Sequence, residues 1–557
     1  MDITHYGRRT VMMGREPAAY RIPVEIYREI FAYIPLLEPA ACMLEFSTAV
    51  SQVCRHWRCL ALEMKELWTF IVVECQTGYY TQRARLALER SHPLPIVIHI
   101  EDIASKVDDY RQLVLDALIH VSRASDLFID GSRIVEYEDF TEEVTEALES
   151  HPAPFLETFR SACFLELPGD SLFRGEVPPN LRTVEMWACY PHPLLLQAPL
   201  THLDLSEMEM ENILDLLHEL PSLEVMRLET PDPSEIDTFS PPPVALPNLQ
   251  TLELVGRSAD SIIRFMPFLD VPCDADLILR VYGCDLDEST FNTAMQNLAA
   301  IYAGQIADAR KAGLIFRDLT IAPSEPWGHD NALTLHNPTS VQATENDADD
   351  PPSLPSSMTL SMTWSYKFGD ERRIVPRILS FMPAIGSHET LNVTGKRLRF
   401  LQDWLDIATY GHQVSRITAN GMAAHGLIMA LNQTDMPIFP RLDMICVTDL
   451  TLENQVDERP ANPDYHPYRH AYLRNNSREP MIPAESLPFI KLLLEVLRSR
   501  TASGHPISHL SIQACNLSVD MISSLRALMG EEAVEWDGKD NAGPYSGRRP
   551  ADCMYAD

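Results

Sequence analysis

Between Ile22 and Ile34 apolar side chains return every four residues, at Ile22, Ile26, Ile30 and Ile34, and Phe31 widens the stripe. That spacing predicts an amphipathic helix over about Pro23 to Ile34. Pro23 suits its start, where the backbone N–H has no helical partner in any case, and Pro35 and Pro39 stop it. A second helix is expected from about Ala40 to Leu62, with Val50, Val53, Cys54, Trp57 and Ala61 on its apolar face and Arg55, His56 and Arg58 off it. Two helices in so short a stretch cannot enclose a core alone; they need a partner or the rest of the chain.

After Trp68 the period changes. The runs Thr69–Val73 and Pro95–Ile100 read as strands, with helical stretches near Gln82–Arg90 and over 108–123. From about residue 155 the pattern apolar-x-x-apolar-x-apolar recurs: Leu181/Val184/Met186, Leu200/Leu203/Leu205, Leu223/Met226/Leu228 and Leu249/Leu252/Leu254, with starts 19, 23 and 26 residues apart. Looser copies are Phe316/Leu319/Ile321, Leu391/Val393, Val414/Ile417/Ala419, Leu442/Ile445/Val447 and Ile507/Leu510/Ile512. Helix-like segments lie between them, at Asn212–Leu220, Ser258–Leu269, Ile374–Met382, Leu398–Ala408 and Phe489–Arg498. Strand plus helix at this spacing is the leucine-rich-repeat pattern, in which each unit buries one apolar edge only against its neighbours. The expected product is a curved solenoid with a strand-lined concave face; an ordinary α/β domain with short parallel strands is the alternative. Proline-rich or acidic stretches at 231–243, 337–357 and 454–484 read as flexible insertions.

Residues 22–68 resemble the F-box-like domains abundant in mushroom-forming fungi. Pro23, Glu25, Ile26, Ile30 and Phe31 match the opening of that pattern, with Ile22 where leucine is common; Val53, Cys54, Trp57 and Arg58 match its middle, and Ala61, Leu67 and Trp68 its close. Arg90-Ser91-x-Pro93-Leu94-Pro95 before a strand fits the segment after the box in these proteins, and Val534–Gly538 is similar to their endings. The resemblance implies an organisation in five parts. A disordered terminus (1–19) precedes an F-box-like helical domain (20–68), and an α/β segment (69–150) starts the array. An irregular leucine-rich-repeat-like solenoid (151–535) and a disordered tail (536–557) complete the chain. The fold class expected is α/β, with a helical F-box before a solenoid of short parallel strands and helices. The resemblance also implies a non-catalytic substrate receptor of a cullin–RING ubiquitin ligase. The box would dock a Skp-type adaptor and the repeats would capture a protein substrate. Ile22, Pro23, Ile26, Ile30 and Phe31 would supply much of the adaptor contact, while Val53, Cys54 and Trp57 would contact the adaptor or pack the two helices. A repeat scaffold that recruits no ligase is the competing expectation.

Composition narrows the chemistry. The 557 residues carry 45 Lys and Arg against 79 Asp and Glu, a formal net charge of −34. That excess repels phosphate backbones, so no nucleic-acid partner is expected. No apolar run has the length of a membrane span, and the start of the chain has no apolar signal core, so a cytoplasmic or nuclear protein without membrane attachment is expected. The eleven cysteines form no Cys-x-x-Cys pair, which favours reduced, mostly buried thiols. There is no GxSxG, HExxH or GxGxxG, and no cofactor is expected. Gly421 to Gly426 has phosphate-loop glycine spacing but Leu427-Ile428 in place of Lys-Ser/Thr, so a repeat turn is the reading; His466 and His470 read as surface histidines rather than a metal pair.

Overall fold

Every repeat copy read from the sequence becomes a β-strand in the computed structural model, which describes residues 22–33, 43–74, 78–101, 107–130, 138–162, 171–187, 191–230, 242–281, scattered positions within 293–307, then 318–323, 331–338, 357–364, 388–393, 401–432, 437–449, 489–515 and 517–538. The chain divides into two compact units, Met1–Met208 and Glu209–Asp557.

The first unit opens with three helices, α1 (Val24–Tyr33), α2 (Met43–Val53) and α3 (Arg55–Glu63), and a 3-10 turn at Lys65–Trp68. Strands then alternate with helices: β1 (Phe70–Val73), α4 (Gly78–Arg90), β2 (Ile96–Ile100), α5 (Asp108–Leu118), β3 (Ala124–Asp130), α6 (Glu138–Ser150), β4 (Thr158–Ala162), β5 (Thr183–Trp187), α7 (Pro193–Leu196) and β6 (His202–Ser206). All neighbours from β1 to β6 pair in parallel and in chain order. A parallel ladder requires a crossover after each strand; helices supply it except between β4 and β5, where the described crossover is the 3-10 turn Leu172–Gly175.

One side of each strand is buried. Ile71 and Val73, Ile98 and Ile100, Leu127 and Ile129, Val184 and Met186 are all within 1% of fully buried. They meet the apolar faces of the crossovers: Ala84, Ala87 and Leu88 of α4; Tyr110, Leu113, Val114 and Ala117 of α5; Phe140, Val144 and Leu148 of α6. The leading apolar position of each copy is buried too, at Leu156, Leu181 and Leu200. Trp68, read from sequence as the end of the box, also holds the leading position of a copy formed with Ile71 and Val73, all three buried. The ladder therefore begins at β1, well before the first copy evident in the sequence.

The second unit holds α8 (Met210–His218), β7 (Val225–Glu229), β8 (Val244–Ala245), β9 (Thr251–Gly256), α9 (Ala259–Phe265), β10 (Leu269–Asp270), β11 (Asp276–Val281), β12 (Asp318–Pro323), β13 (Asn331–Pro338), β14 (Ser357–Trp364), β15 (Thr390–Val393), α10 (Leu401–Ala408), β16 (Arg416–Asn420), α11 (Met422–Asn432), β17 (Met444–Thr448), α12 (Phe489–Ala502), β18 (His509–Gln513), α13 (Val519–Met529) and β19 (Val534–Trp536). β7, β9 and β11 pair in parallel, as do β15 through β19 in order. Between these runs the regular repeat is interrupted. β11 pairs with β14, and β13 lies antiparallel between β14 and β12, which rejoins the parallel run at β15. The acidic stretch expected at 337–357 links the two strands of this hairpin, and its residues 339–356 fall outside the described residues. So do 1–21, 231–241, 454–484 and 539–557.

The fold is thus a repeating α/β architecture of parallel strands and crossover helices. Among the described residues no helix is long and apolar enough to cross a membrane.

Candidate functional site

In α1 the apolar residues split between two neighbouring strips. Tyr27 and Phe31 turn inward, 2% and 1% exposed. Their rings meet Trp57 edge-on at 5.4 and 5.1 Å between centroids, and Phe31 also meets Phe46 at 6.5 Å. Ile26, Ile30 and Tyr33 fall within about 60° of arc on the helix, beside that inward strip, and Ile22 continues their line one turn earlier. These four stand in solvent, at 39% (Ile22), 43% (Ile26), 43% (Ile30) and 64% (Tyr33) exposure. Opposite them Arg28 reaches Glu63 of α3 at 3.2 Å. Pro23 is exposed and its carbonyl accepts the first helical N–H, from Ile26 at 3.1 Å. An unpaired apolar strip of this kind marks an interaction surface.

The single second helix expected from Ala40 to Leu62 is two helices. Cys54 breaks it with an extended backbone (φ −156°, ψ 169°) and caps α3, its Sγ accepting the Trp57 N–H at 3.4 Å. The break turns Val53 outward, 60% exposed, whereas an unbroken helix would have put it on the buried face. Of the eight positions that the sequence pointed to, Ile22, Pro23, Ile26, Ile30 and Val53 are exposed. Trp57 is half-buried against the α1 aromatics, Cys54 is half-buried as a cap, and Phe31 lies in the core of the module. Tyr33 was missed; it shares the four-residue spacing only loosely, being three residues after Ile30.

The module is fastened to the strand array by its closing residues. Leu67 and Trp68 are buried. The Trp68 indole N–H donates to the Ala61 carbonyl at 2.8 Å, and the Arg90 guanidinium lies 4.4 Å from the ring centroid. Anchoring through this corner leaves the strip on α1 facing away from the core.

The second notable surface of this unit is the other strand face, buried at Phe70 and Val72 of β1 and half-buried along β2 to β6. Paired registers align His99, Phe128, Arg160, Glu185 and Asp204 in one row across β2 to β6. Arg160 Nη2 donates to His99 Nε2 at 2.9 Å and to both Asp126 oxygens at 3.0 and 2.8 Å. The His99 ring meets Phe70 and Phe128 edge-on, at 4.7 and 5.4 Å. Burial, with the Arg160 charge second, holds His99 down at about 4, so it is neutral. Burial pushes the Asp126 carboxyl up, and Arg160 draws it partly back. Glu101 is raised by burial and by the charge of Asp130. The sequence showed strands at β2, β5 and β6 but neither β3 nor β4 nor this alignment, because register across a crossover is set by packing.

Gly421 lies at the start of α11 with φ +56°, the left-handed region that glycine tolerates best. Its N–H donates to the Thr448 carbonyl at 2.9 Å; only Gly421 is a turn residue, and Met422 to Gly426, expected from the sequence as part of a repeat turn, open α11 instead. His466 and His470 lie outside the described residues.

No protein-family model matches the chain, and no curated protein matches it. Among solved structures, the leucine-rich repeat-containing protein LegL7 from Legionella pneumophila superposes with a TM-score of 0.26 and 12% identity, over 76% of this chain and 96% of its own. The Rad7 and Elc1 complex in yeast gives 0.27 and 13%, over 79% of this chain and 91% of the other.

Proposed function

We propose that the chain is a non-catalytic substrate receptor of a cullin–RING ubiquitin ligase. In this reading the helical module docks a Skp-type adaptor and the strand–helix array holds a protein substrate. The observation that carries it is the exposed strip Ile22, Ile26, Ile30 and Tyr33, set beside a buried aromatic strip on the same helix. A helix that only packed on its own solenoid would bury its widest apolar face. Here the aromatic strip already provides that packing, and the isoleucines are left for another protein. The receptor performs no bond chemistry; it raises the effective concentration of substrate lysines near a charged conjugating enzyme.

The test is co-purification of the full chain with a Skp-type adaptor, comparing wild type with Ile26→Asp/Ile30→Asp. The expected result is a loss of binding of at least about 100-fold, because two charges would be forced into an apolar contact. Undiminished binding by the variant, or no binding by the wild type, would leave the chain as a repeat scaffold outside the ligase.

A further inference from the structure

Three successive turns on one edge of the first unit each carry a histidine. Ile96 of β2 pairs with Ala124 of β3, and His92 and His120 lie four residues before those partners, at equivalent places in adjacent repeats. Thr158 of β4 pairs with Asp126 of β3. Seven residues before them stand His151 and Ile119, which puts His151 one place from the His120 position in the next repeat. Each turn follows a crossover helix, since α4 ends at Arg90, α5 at Leu118 and α6 at Ser150. His92 is exposed, and His120 and His151 are half-buried.

A fixed guanidinium joins two of these turns. Arg123 Nε and Nη2 donate to the Leu94 carbonyl at 3.0 and 2.7 Å, and Nη2 also donates to Ser91 Oγ at 3.1 Å. Its backbone N–H donates to the His120 carbonyl at 2.9 Å. The turn before β3 thus grips the turn before β2 on either side of His92. Arg123 Nη1 is buried and has no hydrogen-bond partner among the described residues. His120 is faced by Arg123 on its own turn, by His92 from the repeat before and by His151 from the repeat after. The carboxylate opposing them is Asp116 of α5, which already takes the Gln112 amide at 2.9 Å and lies 3.6 Å from Arg85. Glu89 and Arg90 close α4 before His92, and Glu149 near the end of α6 takes the Ser171 hydroxyl. Burial first, then Arg123 and His92, lower His120 from its ordinary value of 6.5; His151 acts the same way and Asp116 against them.

We propose that this histidine row is an acid-released fastener between the first repeats. Protonated imidazoles gather like charges around a guanidinium that cannot move away without giving up Leu94 and Ser91, and the two turns part. Helix C-termini favour cations, which offsets part of the effect at His151, whose Nδ1 lies 3.3 Å from the Ala147 carbonyl oxygen. At His120 burial and the guanidinium outweigh it. His120 takes a proton less readily in the closed turn than in the opened one. The grip it lends is therefore complete above about pH 6.5 and lost as pH falls below that. The inference concerns the mechanics of the array and does not rest on the receptor reading.

The test is hydrogen exchange of the full chain, read by mass spectrometry in peptides across 88–95 and 117–124 and corrected for the chemical exchange rate. The hydrogen-bonded amides of Ser91, Leu94, His120 and Arg123 report the turns, and β5 and β6 serve as the reference. From pH 7.5 to 5.5 opening of the turns is expected to rise about fivefold against the reference, and only about twofold in ~0.5 M salt, which screens the charges. His120→Gln should remove most of the rise. His92→Gln/His151→Gln, which leaves His120 in place, should roughly halve it. His99→Gln, which removes the buried imidazole on β2, should leave it as in the wild type. A rise that survives His120→Gln, that vanishes with His99→Gln or that salt does not reduce would overturn the proposal, as would no rise in the wild type. If His120→Gln lowers the melting temperature at pH 7.5, the His92→Gln/His151→Gln variant and the salt series decide between the same outcomes.

Discussion

At the scale of single residues, burial sets the electrostatics. His99 is held near 4 instead of its ordinary 6.5, first by burial and then by Arg160, and burial alone lowers His425. Both folded values lie below the unfolded one, so the unfolded chain binds more protons as pH falls from about 6.5. Stability from the neutral imidazoles is therefore complete above that pH and declines toward pH 4. Asp126 and Glu101 are shifted upward and act in the opposite sense, so the variant difference is the clean measure. Denaturant midpoints at pH 7 and 4.5 should show a smaller pH loss for His99→Gln than for wild type, by about 1–2 kcal/mol. A steric prediction belongs here too. A Cβ on Gly411 would lie 2.5 Å from Phe439 Cε1, and Phe439 is fully buried beside Trp404. Gly411→Ala should lower stability by about 1–3 kcal/mol, measured by urea denaturation.

At the scale of elements, α1 carries two neighbouring apolar strips with different roles. Phe31→Ala removes a ring packed on Phe46 and Trp57 and should cost about 3–4 kcal/mol in chemical denaturation. Ile26→Ala and Ile30→Ala remove half-exposed side chains and should stay within about 0.5–1 kcal/mol. If Ile30→Ala destabilised the free chain as much as Phe31→Ala, the strip would be part of the fold and not a docking surface. Most of this element was legible in sequence. The four-residue recurrence placed the helix to within a residue or two, and the proline punctuation placed its start. The kink at Cys54 was not legible, because the run from Ala40 to Leu62 keeps helical apolar spacing across the break. Only the capping of α3 by Cys54 Sγ shows why the chain turns there.

At the scale of the molecule, the repeats hold one another through contacts far apart in sequence. Arg500 of α12 is 3% exposed and donates to the carbonyls of Ile438 and Phe439, in the segment before β17, and of His505 before β18. In Arg500→Leu one buried carbonyl, of Phe439, and two half-buried ones, of Ile438 and His505, lose their donor, a loss of about 2–3 kcal/mol. In an array of nearest-neighbour contacts that loss should stay local. Hydrogen exchange should quicken at β16 to β18 and remain unchanged at β1 to β4. Uniform quickening through both regions would show that the array melts as one body.

The sequence by itself showed the first helix, the strands at 69–73 and 95–100 and the repeat copies from Leu181 onward with their inward sides, but not β3, α6, β4, β13 or β14. The periods of four and two residues, and the apolar-x-x-apolar-x-apolar copies, depend on local geometry that every helix and strand shares, so they could be read without coordinates. It also supplied the resemblance of residues 22–68, which is a matter of residue order. The tertiary structure decided what depends on which elements meet. It made Trp68 serve both the helical module and the first repeat. It inserted an antiparallel hairpin between β11 and β15. It sent Phe31 inward and left Ile22, Ile26, Ile30 and Tyr33 in solvent, a division that no period predicts because both strips are apolar. And it aligned His99, Phe128, Arg160, Glu185 and Asp204 in one row, since strand register is fixed by how the crossovers pack, across residues the local pattern does not connect.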